Sequence, residues 1–148
     1  MAKYLVLLIA VALVAVTFAG CTGASADDNF KNAWSSSEKE VILYGTDIRP
    51  YLEPDHINVK AMSDRSKQMI TTIDKNYQTI SDLQVSSKYT VAKQDYLAGL
   101  SDLRMACVDL SQASDAGGLK AVGLVASSAP WLKSSQEKRD KVKAVMNG

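Results

Sequence analysis

Residues 89–114, YTVAKQDYLAGLSDLRMACVDLSQAS, carry the clearest structural pattern in this chain. Within them, apolar and small residues recur at steps of three or four positions: Tyr89, Ala92, Tyr96, Leu100, Leu103, Cys107, Leu110 and Ser114. That spacing places them on one stripe of a helix, which can pack lengthwise against another helix. Ala116-Gly117-Gly118 follows, and glycine commonly stands just past a helix end. We therefore expect a long amphipathic helix that ends near residue 116.

Two earlier segments show the same spacing. The first stripe is Phe30, Trp34, Ser37, Val41, Tyr44, Ile48 and Tyr51. The second stripe is Val59, Met62, Ser66, Met69, Ile73, Asn76, Ile80 and Leu83. Pro50 and Pro54 separate the two segments, because a residue that precedes proline is pushed out of the α region. We expect the second helix to begin at Pro54 or Asp55 and to run to about Asp82.

The remaining boundaries are less sharply marked. Ser87 or Thr90 is the expected cap of the third helix, since both carry a side-chain hydroxyl. Residues 119–126 are apolar and rich in small side chains, and Ser128 stands just before Pro130. Serine ahead of proline indicates either a fresh helix start or a kink in the last segment.

These segments predict an all-α protein. No segment shows the sustained alternation of a strand. Four helical segments with short connections favour antiparallel neighbours, so we predict an up-and-down four-helix bundle as a single domain over residues 30–148. A three-helix bundle with a loosely packed first segment is the alternative.

The first 21 residues differ from the rest. Lys3 precedes the apolar run Tyr4–Val16, which is followed by Thr17-Phe18-Ala19-Gly20-Cys21. A charged start, an apolar stretch and small residues before a cut site are typical of a secretory signal peptide. The cysteine directly after the small pair resembles the lipobox of prokaryotic membrane lipoproteins, although Phe18 stands where that family most often carries leucine.

The resemblance implies that residues 1–20 are a removed signal peptide and that Cys21 is lipidated. The lipid would hold the protein on the extracytoplasmic side of the cell membrane. Thr22 to Asn29 are small and polar, so residues 21–29 read as a flexible tether between lipid and domain. An uncleaved anchor over Tyr4–Gly20 and plain secretion are the alternatives, since 17 residues is the bottom of the spanning range of about 17–25.

Charge and cysteine content narrow the classes of function. The chain has 17 basic and 16 acidic side chains, and removal of Lys3 leaves 16 of each. A neutral body argues against nucleic acid as a partner, which would favour a strongly basic face. With Cys21 lipidated, Cys107 has no partner for an internal disulfide, so we expect the core alone to hold the fold.

The residues suited to catalysis do not form a recognisable pattern. His56 is the single histidine, and a metal site needs clustered ligands. Ser36 with Lys39 and Ser135 with Lys138 have Ser-x-x-Lys spacing, but the accompanying motifs of the penicillin-recognising enzymes are missing. We predict no enzyme activity, no cofactor and no metal site.

Several polar residues have ordinary structural interpretations. Asp95, Asp102 and Asp109 stand seven apart on one helix face, which we interpret as solvated. Cys107 falls in the core stripe, where a lone cysteine behaves as a small buried hydrophobe. Ser66 and Asn76 interrupt the second stripe as register markers or as the lining of a small polar pocket. The basic residues of the last segment read as a charged helix face: Lys133, Lys138, Arg139, Lys141 and Lys143.

Two functions remain open. The first is protein interaction or envelope structure, with an envelope protein or a second copy as partner, through the apolar residues that flank the stripes: Ile42, Ile70, Leu97 and Val108. The second is a ligand-binding or sensory bundle with a pocket near Trp34, Tyr77 and Tyr96. A binder needs a cavity, whereas an interaction module needs an exposed apolar patch.

Overall fold

The computed structural model describes residues 25–52 and 58–148, and every regular element within them is helical. The elements are α1 (Ala26–Ile48), one 3-10 turn (Arg49–Leu52), α2 (Val59–Ser81), α3 (Thr90–Ala116) and α4 (Gly118–Asn147). The predicted all-α fold with four helices is confirmed. The three-helix alternative is wrong, because α1 contributes four large side chains to the shared core: Phe30, Val41, Tyr44 and Ile48.

Successive helices run antiparallel, as the bonds between them demonstrate. Asp47, near the end of α1, pairs with Arg65 near the start of α2. Glu40, earlier in α1, accepts a hydrogen bond of 2.6 Å from Asn76, which lies later in α2. The same reversed order holds between α3 and α4. The bundle is therefore up-and-down, as predicted.

This topology gives the bundle two ends. The proximal end holds the start of α1, the α2–α3 connection and the last residues of α4; the distal end holds the 3-10 turn, the start of α2 and the α3–α4 turn. At the proximal end Asp27 accepts bonds from the backbone N–H and the hydroxyl of Ser86, at 2.8 and 2.7 Å. The rings of Phe30 and Tyr89 pack edge to face beside them, with centroids 6.1 Å apart.

The three predicted stripes form the core. Seven of the eight residues in the third stripe are buried, and only Ser114 remains half-exposed. Most residues of the first two stripes are buried, and five are only partly covered: Trp34, Tyr51, Val59, Asn76 and Leu83. The three-four spacing therefore located the buried faces of α1, α2 and α3.

The predicted tether is too long at its carboxyl end. α1 begins at Ala26, so residues 26–29 belong to the helix, and residues 21–24 lie outside the described residues. The reason is a capping box: the hydroxyl of Ser25 accepts from the backbone N–H of Asp28 at 3.1 Å, and the carboxylate of Asp28 accepts from the backbone N–H of Ser25 at 3.2 Å.

Two helix starts differ from the prediction. α2 begins at Val59, where the side chain of Asn58 accepts a bond from the backbone N–H of Ala61 at 3.0 Å. The expected starts at Pro54 and Asp55 fall in residues 53–57, outside the described residues. α3 has no side-chain cap, because Tyr89 occupies the capping position; the expected caps are wrong. The end of α2 before Asp82 is as predicted.

α4 is one continuous helix that contains Pro130, so of the two alternatives predicted near Ser128, a fresh helix start or a kink, the fresh start is wrong. Its buried residues stand seven apart, and so do the small buried residues of α3. We call these two rows the α3–α4 seam: Ala92, Gly99, Ala106 and Ala113 against Ala121, Ser128, Ser135 and Val142. A side chain on Gly99 would place its Cβ 3.3 Å from the carbonyl oxygen of Ser135. The helices lie this close because their facing side chains are small.

Candidate functional site

An apolar cavity of about 620 Å³ opens at the distal end, between the start of α2 and the α3–α4 turn. We call it the distal cavity. Its lining is mainly hydrocarbon: Tyr51, Val59, Lys60, Met62, Ala113, Ser114, Gly117, Gly118, Ala121, Val122, Val125 and Ala126. Gly117 and Gly118 have φ of 64° and 49°, which is the left-handed region that glycine tolerates best. They turn the chain without placing a side chain over the opening.

The distal cavity joins buried and exposed apolar surface. Met62, Ala113 and Ala121 are buried and form its deeper wall. At the rim Val122 is 65% exposed, and nearby Leu119 is 92% exposed. Exposed apolar side chains beside an apolar cavity are typical of contact or binding sites. Two polar residues of the lining have partners, because Lys60 pairs with Asp64 and Ser114 donates to Ser63.

A second recess lies between α1 and α4, with Leu103 of α3 in its lining. We call this space, of about 340 Å³, the α1–α4 groove; its lining is Val41, Tyr44, Gly45, Ile48, Arg49, Leu103, Leu132, Ser135, Gln136 and Arg139. Ser135 is 1% exposed, and its hydroxyl has no hydrogen-bond partner in the part of the chain that the structure describes. Buried polar groups of this kind are uncommon, because each costs free energy.

A buried polar cluster ties α1 to α3 and α4. The hydroxyl of Tyr96 donates to the hydroxyl of Ser37 at 2.9 Å, and burial raises the pKa of this tyrosine. Arg139 binds Glu38 with two donors, one of them Nε at 2.9 Å from Oε2. A forked guanidinium–carboxylate pair fixes geometry as well as charge. The cluster holds α1 in register and leaves its charges paired.

Cys107 lies in the core, as predicted. Burial raises the pKa of its thiol to about 11, beside the hydroxyl of Tyr44. That hydroxyl lies 3.0 Å from the hydroxyl of Ser66, whose own proton is donated to the carbonyl of Met62 at 2.8 Å. A thiol that stays protonated at neutral pH is a poor nucleophile. Ser66 thus joins two helices, in keeping with a role in register.

The predicted solvated row of acids on α3 is wrong. Asp102 is only 9% exposed and accepts bonds from Ser134 and Lys138 of α4. Asp109 accepts from Ser127 at 2.8 Å. α4 packs over this face, so Asp102 and Asp109 bind side chains of α4, although Asp109 remains half-exposed, as Asp95 does.

The basic residues predicted to form a charged face on the last helix also fall into two groups, one facing other helices and one exposed. Lys138 and Arg139 point inward to acidic partners, whereas Lys133 pairs only with Glu137 of its own helix, at 3.9 Å on the surface. The lysines at 141 and 143 are exposed. Spacing alone did not reveal which basic residues would meet carboxylates from other helices.

Neither the distal cavity nor the α1–α4 groove is lined by Trp34, Tyr77 or Tyr96, the aromatic residues predicted to line a ligand pocket. Tyr77 is exposed, and Tyr96 is completely buried with its hydroxyl already bonded. Asn76, predicted as a register or pocket residue, donates to Glu40 on the surface. Both recesses lie elsewhere, and the sequence signal that could have located the distal cavity is the small-residue turn around Gly117.

The predicted interaction flanks are only partly available. Ile42 is exposed, whereas Ile70, Leu97 and Val108 are half-buried. The flanks therefore do not form one continuous exposed surface, and the largest exposures of apolar side chains lie near helix ends, at Leu119, Val122 and Val91.

The other candidate site residues are not brought together. Cys21 and His56 lie outside the described residues. Lys138 binds Asp102, while Ser36 is exposed on a different helix from Ser135. Among residues 25–52 and 58–148, no group of three His, Cys, Asp or Glu residues could hold a metal ion.

Within these same ranges, no helix has the length and apolar content needed to cross a bilayer. Compared with known proteins, the chain matches no family model, no curated protein and no solved structure.

Proposed function

We propose that this protein is a lipid-anchored extracytoplasmic lipoprotein whose helical bundle acts by binding a protein partner at its distal end. The distal cavity carries the proposal. Buried and exposed apolar side chains meet there, and covering such surface contributes roughly 25 cal/mol for each Å² removed from water. The partner would supply an apolar side chain or helix end that fits between α2 and α4.

The topology is compatible with an anchor at Cys21. That residue stands four positions before Ser25, which begins the proximal end. α1 then runs for 23 residues, which corresponds to about 35 Å at 1.5 Å per residue. A lipid on Cys21 would therefore leave the distal cavity at the opposite end of the bundle from the attachment point, accessible to a partner in the envelope.

A second candidate function follows from the size of the distal cavity. Its volume of about 620 Å³ falls within the roughly 300–1,000 Å³ that is usual for small-molecule sites. With hydrocarbon on most sides, its ligand would be a compact apolar molecule. In that case the bundle would serve as a binding or sensory protein, with the same anchor.

The anchor is tested by intact mass of the protein purified from native membranes. We expect cleavage before Cys21 and the added mass of a lipid, and an unprocessed precursor for Cys21→Ser. Cys107→Ala is the matched control, because this cysteine is buried in the bundle and should leave processing unchanged. A full-length unmodified mass for the native protein would exclude the lipoprotein.

Binding at the distal end is tested with two equally exposed valines. Val122 is 65% exposed at the distal rim, and Val91 is 66% exposed at the proximal start of α3. In native membranes, Val122→Asp should abolish a specific cross-link to a partner or a second copy, whereas Val91→Asp should leave it intact. Equal cross-linking in both variants would refute distal-end binding. Absence of any cross-link, with stabilisation by a small apolar molecule, would favour the second candidate.

A further inference from the structure

The first half of α4 presents an exposed helix surface without charge. Lys120 and Lys133 enclose twelve residues that carry no charged side chain, whereas no other charge-free stretch within residues 25–148 is longer than six. Five residues in or directly beside this stretch are exposed and lie within about 100° of one another around the helix axis. We call them the distal α4 face: Leu119, Val122, Ala126, Ala129 and Pro130.

The distal α4 face combines a protruding side chain with a neighbouring hollow. Leu119 is 92% exposed, the largest fraction for any large apolar side chain that the structure describes. Val122 and Ala126 belong to the face and also line the distal cavity. Val59 and Val125, which are half-buried, provide cavity wall that remains in contact with water. An apolar group that projects and an apolar hollow that is open therefore lie side by side on one surface.

This arrangement suits a contact between identical chains. In a two-fold contact each copy must present both the group that projects and the hollow that receives it. A charge-free face also meets its own copy without like-charge repulsion. Beside it, Lys120 and Asp115 line one recess, so the edge of the face offers both signs of charge to a second copy. A foreign partner recognised by its charge would favour a surface of one sign.

We propose that the partner of the distal end is a second copy of this chain, paired through the two distal α4 faces about a two-fold axis. Leu119 of each copy lies in the distal cavity of the other, against Val59 and Val125. An axis parallel to the bundle places both distal ends at the same height, so two copies anchored in one membrane can pair. The face and the cavity rim involve fewer residues than the about 20–30 a side of a standard interface, so we expect a weak, reversible dimer. This inference rests on the function proposed for the distal end and adds the identity of the partner.

The pairing is tested with two differently tagged full-length copies, produced together and cross-linked in native membranes by a short bismaleimide. With Leu119→Cys in one copy and Val122→Cys in the other, we expect a product of twice the mass that carries both tags. Leu119→Cys with Val91→Cys is the matched control, because Val91 is similarly exposed but lies at the proximal end. Cys107 is buried and should not react. Equal yields of the product in the two pairs would overturn the proposal.

Two exposed alanines of α4 give a matched pair of charge variants, introduced into both cross-linking copies. Ala126→Glu changes the distal α4 face and should lower the yield of the two-tag product at least about tenfold, because an unpaired carboxylate would be buried in the interface. Ala144→Glu makes the same change near the end of the helix and should leave the yield unchanged. Both variants should fold, because glutamate is a good helix former at an exposed position. Equal yields would contradict pairing through this face.

A mixed pair of variants separates a second copy from a foreign partner. With Ala126→Glu in one copy and Ala126→Lys in the other, opposite charges meet across the two-fold axis, and at least about a third of the original yield should return. Either variant in both copies should stay low, and lack of rescue in the mixed pair would overturn the pairing of this face with itself. Cross-linking of Leu119→Cys to a different protein alone would also overturn it, while leaving distal-end binding intact. No cross-linked product of any kind would count against both proposals.

Discussion

The two sides of α3 are packed in opposite ways. Towards α4, the α3–α4 seam consists of alanine, glycine, serine and one valine. The two helices lie so close that a Cβ on Gly99 would crowd the backbone carbonyl of Ser135. Towards α1 and α2, the packing relies on large side chains and buried polar bonds, such as Tyr96 with Ser37 of α1 and the carbonyl of Ser111 with the hydroxyl of Ser63 of α2. We call this second side the α1–α2 face of α3.

The difference indicates how each helix is held. Small side chains let two helices gain dispersion contacts along their whole length, but they leave no room for added atoms. Large side chains reach across wider spacing and leave recesses where they do not fill it. The α1–α4 groove lies where α1 stands apart from α4, so the looser packing of α1 leaves this recess.

The largest expected loss of stability comes from truncating a core leucine on the α1–α2 face of α3. Leu100 is completely buried, and Leu100→Ala should lower the free energy of unfolding by about 2–5 kcal/mol, because a truncated core leucine leaves a cavity. Leu103→Ala should fall in the same range. Chemical denaturation monitored by circular dichroism measures both. Unchanged stability would mean that this face is not the main core.

A smaller loss of stability is expected at the α3–α4 seam, where the substitution adds side-chain volume instead of removing it. Gly99→Leu should cost about 1–3 kcal/mol, because the carbonyl of Ser135 is backbone and cannot move aside like a side chain. Gly123→Leu, with open space around it, should be neutral or stabilising by up to about 1 kcal/mol. Similar thermal midpoints for the two variants would contradict close contact at the seam.

The smallest expected effect is a loss of stability at alkaline pH, which concerns the α1–α2 face of α3 and not the α3–α4 seam. The pKa of Cys107 is raised from 9.0 to about 11, so its neutral form stabilises the fold below pH 9, and this contribution is lost as pH rises towards 11. From pH 8 to 10 the loss amounts to about 1 kcal/mol. Burial raises the pKa of Tyr44 and Tyr96 in the same direction, whereas the α3–α4 seam contains no titratable side chain.

Amide hydrogen exchange at pH 8 and 10, corrected for intrinsic rates, would localise this change. Faster opening of α1 than of the α3–α4 pair is the expected result. Cys107→Ala should flatten the pH dependence of stability even if its absolute stability is lower. An equally steep dependence in that variant would assign the alkaline loss to other groups.

The sequence-based prediction was accurate for the faces that carry large apolar side chains and less accurate for the α3–α4 seam. Stripes built from Leu, Ile, Val, Met and aromatic residues identified the buried faces of three helices. α4 was harder to interpret, because its buried face carries Ala121, Ser128 and Ser135, which differ little in polarity from exposed residues. The signal was present as a seven-residue repeat of small side chains, facing a matching repeat in α3.

Asp102 and Gly45 illustrate what periodicity cannot supply. Asp102 lies on the side of α3 opposite the apolar stripe, where a carboxylate is ordinarily solvated, yet α4 covers it and Lys138 neutralises it. Gly45 resembles any helix-weakening glycine in sequence, but in the fold it borders the α1–α4 groove. Both depend on which helix lies opposite, which a single-helix pattern does not contain.

The sequence by itself determined the helical class, the number of helices and most of the core, because the three-four spacing of apolar residues is a local property of each helix. Tertiary structure alone decided which helices meet at the α3–α4 seam, the pairing of Glu38 with Arg139 and the two recesses. The physical reason is that hydrophobic burial sets which face turns inward, whereas contacts, ion pairs and cavities depend on the distances between facing helices.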